Sequence, residues 1–200
     1  MKLWSILIPT MEDRKPLYDK MVADLQKQIA ASHAEDEIEI VPSLDKGELT
    51  IGTKRNMLLQ MAKGKFSSFL DDDDPVVPTY VEEIIAVLRV YDDLDSVGIF
   101  EEVYFQDKYA GIGIHSVLCD TWTEVPDSYY RCLDQRTPVR TELARKIKYQ
   151  DIRWSEDHHW SVAVAKSGMF KKEVFLGHKP LYIYKCREAK KGLKKGVQYE

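Results

Sequence analysis

The chain has 200 residues and a mass of 23.2 kDa, with 29 Lys plus Arg against 33 Asp plus Glu, a formal charge of −4 and a pI near 5.8. Hydrophobic residues make up 44% and charged residues 31%, which excludes a disordered chain, a collagen-like repeat and a disulfide-stapled miniprotein and predicts one domain of ordinary size. The acidic balance argues against nucleic acid as a partner.

Leu3 to Ile8 is a near-continuous apolar run of strand length, stopped by Pro9-Thr10. Leu17, Met21, Leu25 and Ile29 recur at four-residue steps, which predicts a helix over 17–31. Glu37 to Val41 alternates as a strand does, with Pro42 closing it. A second helix is predicted over Gly52 to Ala62, with Gly64 as its stop. Phe66 to Leu70 reads as a third strand and ends in Asp71-Asp72-Asp73-Asp74-Pro75. A helix from Thr79 to about Tyr91 follows. Strand–helix alternation over ninety residues predicts a parallel, doubly wound α/β half. Val97–Tyr104 and Tyr109–Leu118 read as antiparallel additions to its sheet. Helices are expected over Arg140–Ile147 and from Ser155, whose hydroxyl suits a cap, through Trp160–Val164. Leu181–Tyr184 reads as the last strand.

Cys119, Cys132 and Cys186 are odd in number and widely spaced, which fits reduced thiols in a cytoplasmic protein. Behind Met1-Lys2 the apolar run is too short for a signal peptide and lacks a small-residue cleavage site. No stretch approaches the ~18 apolar residues of a membrane helix. Asn56 is the single asparagine, with no glycosylation sequon behind it. Charge is distributed unevenly. Residues 71–95 hold nine carboxylates and one basic residue, Arg89, whereas 185–200 hold six basic residues and two acidic ones.

In open α/β sheets, ligands bind beyond the carboxyl ends of the strands. Thr10, Asp45 and Asp71–Asp74 all fall there, so distant parts of the sequence converge on one crevice. Adjacent ionised carboxylates repel unless a cation offsets them. Carboxylate oxygens suit Mg²⁺ or Mn²⁺, which take phosphate oxygens as further ligands. In an extended segment Asp71 and Asp73 share a face, while Asp72 and Asp74 point away and one of them caps the turn at Pro75. Lys54 and Arg55, at the start of the second helix, offer cations and free N–H groups to an anion; a solvated basic pair is the plain alternative. Glu156-Asp157 lies at a helix start between Trp154 and Trp160, where an apolar wall would raise a carboxylate's proton affinity toward that of a general base. Adjacent His158 and His159 point about 100° apart on a helix and make a poor chelate. His178, ahead of the final strand, is the better-placed third metal ligand.

The order of motifs resembles the GT-A glycosyltransferases, and within them the family 2-like enzymes. The matching pieces are Ser5-Ile6-Leu7-Ile8-Pro9-Thr10 with Arg14, Glu39-Ile40-Val41 leading to Asp45, Gly52-Thr53-Lys54-Arg55-Asn56 with Ala62-Lys63-Gly64-Lys65, Phe69-Leu70-Asp71-Asp72-Asp73-Asp74, and Trp154-Ser155-Glu156-Asp157. The resemblance spans residues 3 to 185. It implies a single α/β GT-A domain (nucleotide-diphospho-sugar transferase, Rossmann-like) over 1–185, its central mixed, mostly parallel sheet flanked by helices, with a basic tail over 186–200. It implies metal-dependent, inverting hexosyl transfer from a UDP- or GDP-sugar to a hydroxyl of a glycan, lipid-linked or protein acceptor. Thr10, Arg14 and Asp45 would line the nucleoside pocket, and Lys54 and Arg55 would approach the ribose-diphosphate side. Asp71 would contact the ribose or the metal shell, and Asp73 would ligate the Mn²⁺ or Mg²⁺ that bridges the diphosphate. Asp157 would be the catalytic base, supported by Glu156. Two departures stand out: the second strand ends in Pro42-Ser43-Leu44-Asp45 rather than Asp-Asp-Gly-Ser, and little sequence follows the Glu-Asp pair.

Two other readings compete. A nucleotidyltransferase of similar fold would want a Gly-rich basic loop after strand one, and Pro9 to Arg14 holds no glycine. A non-catalytic nucleotide-sugar-binding relative would keep the fold without turnover. Acceptor specificity is expected in loops, here 101–113 and 121–136, where Trp122, Tyr129 and Tyr130 offer rings to a sugar.

Overall fold

The computed structural model describes residues 2–186. The predicted basic tail lies outside them, apart from Cys186, the last residue of the final strand. The first half alternates as its apolar periodicity predicts: β1 (Trp4–Met11), α1 (Lys15–Ala31), β2 (Ile38–Asp45), α2 (Ile51–Met61), β3 (Phe66–Phe69) and α3 (Tyr80–Val90). Successive strand residues face opposite sides, and β1 buries both. Trp4, Ile6 and Ile8 pack with Met21, Leu25 and Ile29 of α1 and with α3. Leu7 packs on the other side with Leu58 and Leu59 of α2. Leu17, the first residue of the predicted α1 stripe, is exposed.

β1 runs parallel to β2 and to β3. β2 continues through Pro42 instead of closing there, pairing on until Met11 meets Asp45. It is an edge strand, where a residue without an N–H is tolerated. The extension carries Asp45 level with the end of β1. Gly64 is not the helix stop: α2 ends at Met61, with Ala62 as its C-cap. A Cβ on Gly64 would lie 2.5 Å from the Ser5 nitrogen, so glycine there allows the chain to close against β1.

The second half holds β4 (Ser96–Phe105), β5 (Lys108–His115), β6 (Thr123–Val125), β7 (Ser128–Arg131), β8 (Val139–Arg140), α4 (Thr141–Ala144), α5 (Glu156–Ser167), β9 (Glu173–Leu176) and β10 (Tyr182–Cys186). β4 and β5 form the expected antiparallel hairpin, but β4 also pairs in parallel with β9 and β10. Five of the nine ladders among the described residues are parallel, so the sheet is mixed and mostly parallel. The 121–136 segment, expected as loop, contains the β6–β7 hairpin. Its strands are too short to show an alternating pattern. The helix expected over 140–147 is the single turn α4. Beyond it Arg145 donates to the carbonyls of Leu59 and Ala62 at 2.9 and 2.6 Å, capping the end of α2 and drawing the chain across it. Among the described residues, no helix is long and apolar enough to cross a membrane.

Candidate active site

A cleft of about 1560 Å³ opens beyond the ends of β1 and β3, with Trp122, Tyr129 and Arg131 of the β6–β7 region and the start of α5 among its walls. β1 outruns β3: their last paired residues are Leu7 and Phe69, and β1 continues to Met11. The acidic run therefore folds alongside Pro9–Met11, as a turn closed by the Asp74 N–H donating to the Asp71 carbonyl at 3.1 Å.

The four aspartates separate into two pairs. The Asp71 and Asp73 side chains are 34% and 29% exposed and line the cleft, whereas Asp72 is 3% exposed. Thr10 Oγ1 donates to Asp72 Oδ2 at 2.6 Å, and Arg14 Nε donates to Oδ1 at 2.9 Å. Arg14 also reaches Asp73 at 3.0 Å. Asp74 is buried and accepts from the Tyr182 hydroxyl at 2.8 Å. Burial, reinforced by the charge of Asp71, pushes the Asp74 carboxyl up to about 7. Neither buried aspartate caps Pro75. Asp72 instead locks the turn to the end of β1, and Thr10 and Arg14 are the residues that hold it.

Lys54 and Arg55 are buried, not solvated. The Thr50 hydroxyl caps α2 by accepting from Thr53 N at 3.1 Å. Gly52 presses this first turn onto residues 150–152, where an added Cβ would meet the Gln150 carbonyl oxygen at 1.8 Å. Lys54 pairs with Asp45 and donates to the Thr10 carbonyl at 2.8 Å. Burial alone would push Asp45 up; the hydrogen bond and charge of Lys54, with the Leu49 and Gly47 amides, prevail and hold it below the ordinary carboxylate range. Arg55 donates from Nε to Glu156 Oε1 and from Nη2 to Asp71 Oδ1, both at 3.1 Å. Its guanidinium lies 4.9 Å from the Phe69 ring centroid. Arg55 Nη1 is buried and has no acceptor among the described residues.

Ser155 precedes α5 with φ +64 and makes no side-chain cap. A left-handed serine is strained, and this one turns the chain directly into Glu156. Burial raises the Glu156 carboxyl, against the pull of Arg55. Asp157 is part-exposed, lines the cleft and accepts the His158 N–H at 2.7 Å. The expected tryptophan wall is only half present. Trp160 is buried and donates to the Ile147 carbonyl at 2.9 Å, whereas Trp154 is 84% exposed at the cleft lip. The His158 and His159 rings lie 5.8 Å apart and tilted. His178 is not brought to the cleft: its Nε2 sits 3.1 Å from Glu83 of α3. The loop between β9 and β10 carries it onto that helix, so the structure does not place it with Asp71 and Asp73.

Sequence reasoning missed a buried ionic cluster on the β4 side. Arg136 donates to Asp134 from Nε at 3.1 Å and to Glu101 from Nη1 at 2.7 Å. The His115 nitrogens lie 3.2 Å from Glu101 and 3.1 Å from Asp134. Burial disfavours the charged imidazole, but the two carboxylates prevail and raise His115 above its ordinary value. Glu101, Gln135 and Arg136 line the cleft. One signal was available: Val97, Ile99, Glu101 and Val103 share a strand face, and all four are buried. A carboxylate on an apolar face demands partners.

Among the described residues, no group of three or more His, Cys, Asp or Glu converges as a metal site. Mg²⁺ and Mn²⁺ ask less of a protein when phosphate is present, since one or two carboxylates suffice, with phosphate oxygens and water completing the shell. Asp71 and Asp73, two part-exposed carboxylates lining one cleft, fit a cation that arrives with a nucleotide.

A parallel β2–β1–β3 half whose strand ends carry an acidic turn, joined to a mixed half that brings the acids of α5 to the same cleft, defines the GT-A fold. Solved structures agree. S. aureus TarS superposes with a TM-score of 0.57 at 16% identity over 93% of this chain and 37% of its own. TarS 1–349 in complex with UDP-GlcNAc gives 0.55 at 16% identity, over 95% and 60%. The catalytic domain of Drosophila β1,4-galactosyltransferase 7, in complex with xylobiose, gives 0.56 at 11% identity, over 91% and 68%. The chain thus has the fold of GT-A glycosyltransferases while spanning little more than a third of TarS. No protein-family model matches the sequence, and no curated protein does.

Proposed function

We propose that the chain is a metal-dependent, inverting glycosyltransferase that takes a sugar from a nucleoside-diphosphate donor, a UDP- or GDP-sugar, to an acceptor hydroxyl. One observation carries the reading: Asp71 and Asp73 share a cleft with Asp157, and Arg55 bridges Asp71 to Glu156, the neighbour of Asp157. UDP-GlcNAc in the TarS complex supports the class of donor. Thr10, Arg14 and Lys54 line the cleft at the end of β1, where the nucleoside would sit, while Asp45 is not among the lining residues and acts by holding Lys54. Asp71 and Asp73 would hold a Mn²⁺ or Mg²⁺, which when bound neutralises charge on the diphosphate leaving group.

Asp157 is the base. Its carboxylate lines the cleft, accepts the His158 backbone amide at 2.7 Å and is not the carboxylate that Arg55 binds, which places it to take the acceptor's proton. The deprotonated oxygen attacks the anomeric carbon opposite the departing diphosphate, which inverts that centre without an enzyme nucleophile. Glu156, paired with Arg55, is a positioning residue: it ties the start of α5 to α2 and β3.

The test is to incubate the protein with Mn²⁺ and a panel of UDP- and GDP-sugars and to follow nucleoside diphosphate release. Asp157→Asn should lose turnover and keep nucleotide binding. Pyrophosphate release from a nucleoside triphosphate plus a sugar phosphate would replace this reading with nucleotidyl transfer.

A further inference from the structure

Gln135 is a polar side chain the glycosyl-transfer reading has not used. Its carbonyl accepts the Phe69 N–H at 2.7 Å, which fixes it beside the end of β3, two residues before Asp71. It lines the cleft, yet it is only 4% exposed. Its Oε1 is buried and meets no donor among the described residues. A buried acceptor without a partner is destabilising. Unlike the Ser67, Tyr80, Ser96 and Tyr149 hydroxyls, also unpartnered among the described residues, this one belongs to a residue that lines the cleft, from which a bound molecule can supply the donor.

Arg136 follows it along the same wall. Its bonds to Asp134 from Nε and Nη2 and to Glu101 from Nη1 use three of the five guanidinium N–H groups. The direction of the guanidinium is fixed by those acids and by the Tyr182 and Tyr184 rings, 5.5 and 5.2 Å away. Gln135 and Arg136 thus present one free acceptor and spare donors side by side, the pattern that reads a hydroxyl. They do not present spare positive charge. Arg136 is already shared by two carboxylates, and Arg55 by Asp71 and Glu156.

We propose that Gln135 and Arg136 form the donor-sugar subsite, that Gln135 accepts a hydrogen bond from a sugar hydroxyl, and that the donor sugar is neutral and not a uronic acid. This rests on the glycosyl-transfer reading. A uronate carboxylate entering here would meet Asp71, Glu101 and Glu156, and the arginines that bind those acids, Arg55 and Arg136, are each already shared by two carboxylates.

The test is calorimetric titration of the whole chain with Mn²⁺ and UDP, UDP-glucose, UDP-galactose, UDP-GlcNAc, UDP-glucuronate, GDP and GDP-mannose. Gln135→Met is close to isosteric and leaves the backbone bond to Phe69 in place; Gln135→Ala repeats the test with a smaller side chain. Bare nucleotide should bind both variants within about twofold of wild type, while the best neutral conjugate weakens about tenfold, the size of a lost hydrogen bond. UDP-glucuronate should bind wild type at least about tenfold more weakly than that conjugate. Equal affinity for glucuronate, or variants that weaken nucleotide and conjugate alike or neither, overturns the proposal and leaves glycosyl transfer standing. If wild type binds no nucleoside diphosphate, the glycosyl-transfer reading itself fails and takes this proposal with it.

Discussion

Arg55 and Glu156 stand 101 positions apart in sequence, yet Arg55 Nε donates to Glu156 Oε1 at 3.1 Å and both side chains are buried. The same guanidinium reaches Asp71 at 3.1 Å. One cation thus ties the end of β3, the first turn of α2 and the start of α5, the three places from which the candidate chemistry comes. Removing it strands a buried carboxylate, which costs about 3–5 kcal/mol. Arg55→Met should therefore lower the urea-unfolding free energy by about that much. Arg55→Lys should recover only part, since one ammonium cannot serve two carboxylates in a fork. A melt of Arg55→Met equal to wild type would contradict the tie.

Asp72 and Asp73 are neighbours with opposite expected phenotypes. Asp72 is buried and accepts from Thr10 and Arg14, so Asp72→Ala should destabilise the fold by about 2 kcal/mol or more. Asp73 is part-exposed with one arginine contact, and Asp73→Ala should stay within ~0.5 kcal/mol of wild type. Its loss should appear instead in nucleotide titrations, as the disappearance of the difference between Mn²⁺ and EDTA. Thermal melts paired with those titrations decide the matter, and equal destabilisation of the two variants counts against it.

The same two residues mark what the sequence makes legible. Residue alternation groups Asp71 with Asp73 and Asp72 with Asp74 without a structure, but the run is a turn and not the extended segment that reading assumes. Asp72 is turned inward by Thr10 and Arg14, and Asp74 by Tyr182. Strand–helix alternation gives the β1–α3 half because long apolar periods are local. The rest is not local. Nothing near Arg55 in sequence announces Glu156, and a basic pair at a helix start looks solvated until Glu156 of α5 takes Arg55 and the ends of β1 and β2 take Lys54. Glu101, His115, Asp134 and Arg136 neutralise one another only once β4, β5 and the segment before β8 meet. His178 went the other way, since its place ahead of a strand said nothing about which side of α3 its loop would take.

Asp74 gives a pH signature. Burial raises its carboxyl to about 7, so between the ordinary carboxylate range and pH 7 the native state holds a proton that the unfolded chain has released. Its contribution is complete below the unfolded value and is lost as pH rises through about 7, on the order of 4 kcal/mol from the size of the shift. Asp74→Asn keeps an acceptor for the Tyr182 hydroxyl and removes the titration. The variant should gain on wild type from pH 4 to 7 and hold a constant advantage above it. His115 and Glu156 also titrate, but they are common to both proteins and cancel in the difference. A flat difference between the two denaturation curves across pH 4–8 would refute the raised carboxyl.

Gly52 tests the geometry from the backbone side. A Cβ there would lie 1.8 Å from the Gln150 oxygen and 2.9 Å from its carbonyl carbon, and main-chain atoms cannot rotate away as a side-chain tip can. Either α2 or the 150–152 segment must shift. Arg55 lies three residues beyond Gly52 on one of them, and Glu156 follows the other by four. Gly52→Ala should therefore cost about 3 kcal/mol, the upper range for overpacking, and should weaken nucleotide binding even in the fraction that stays folded. Gly168 supplies the contrast: it has φ +60 but nothing within 4 Å of an added Cβ. Gly168→Ala should cost only the left-handed penalty of about 1–2 kcal/mol and leave nucleotide affinity unchanged. Should the two variants lose stability equally with affinity intact, the contact of α2 with residues 150–152 would not be what holds Arg55 against Glu156.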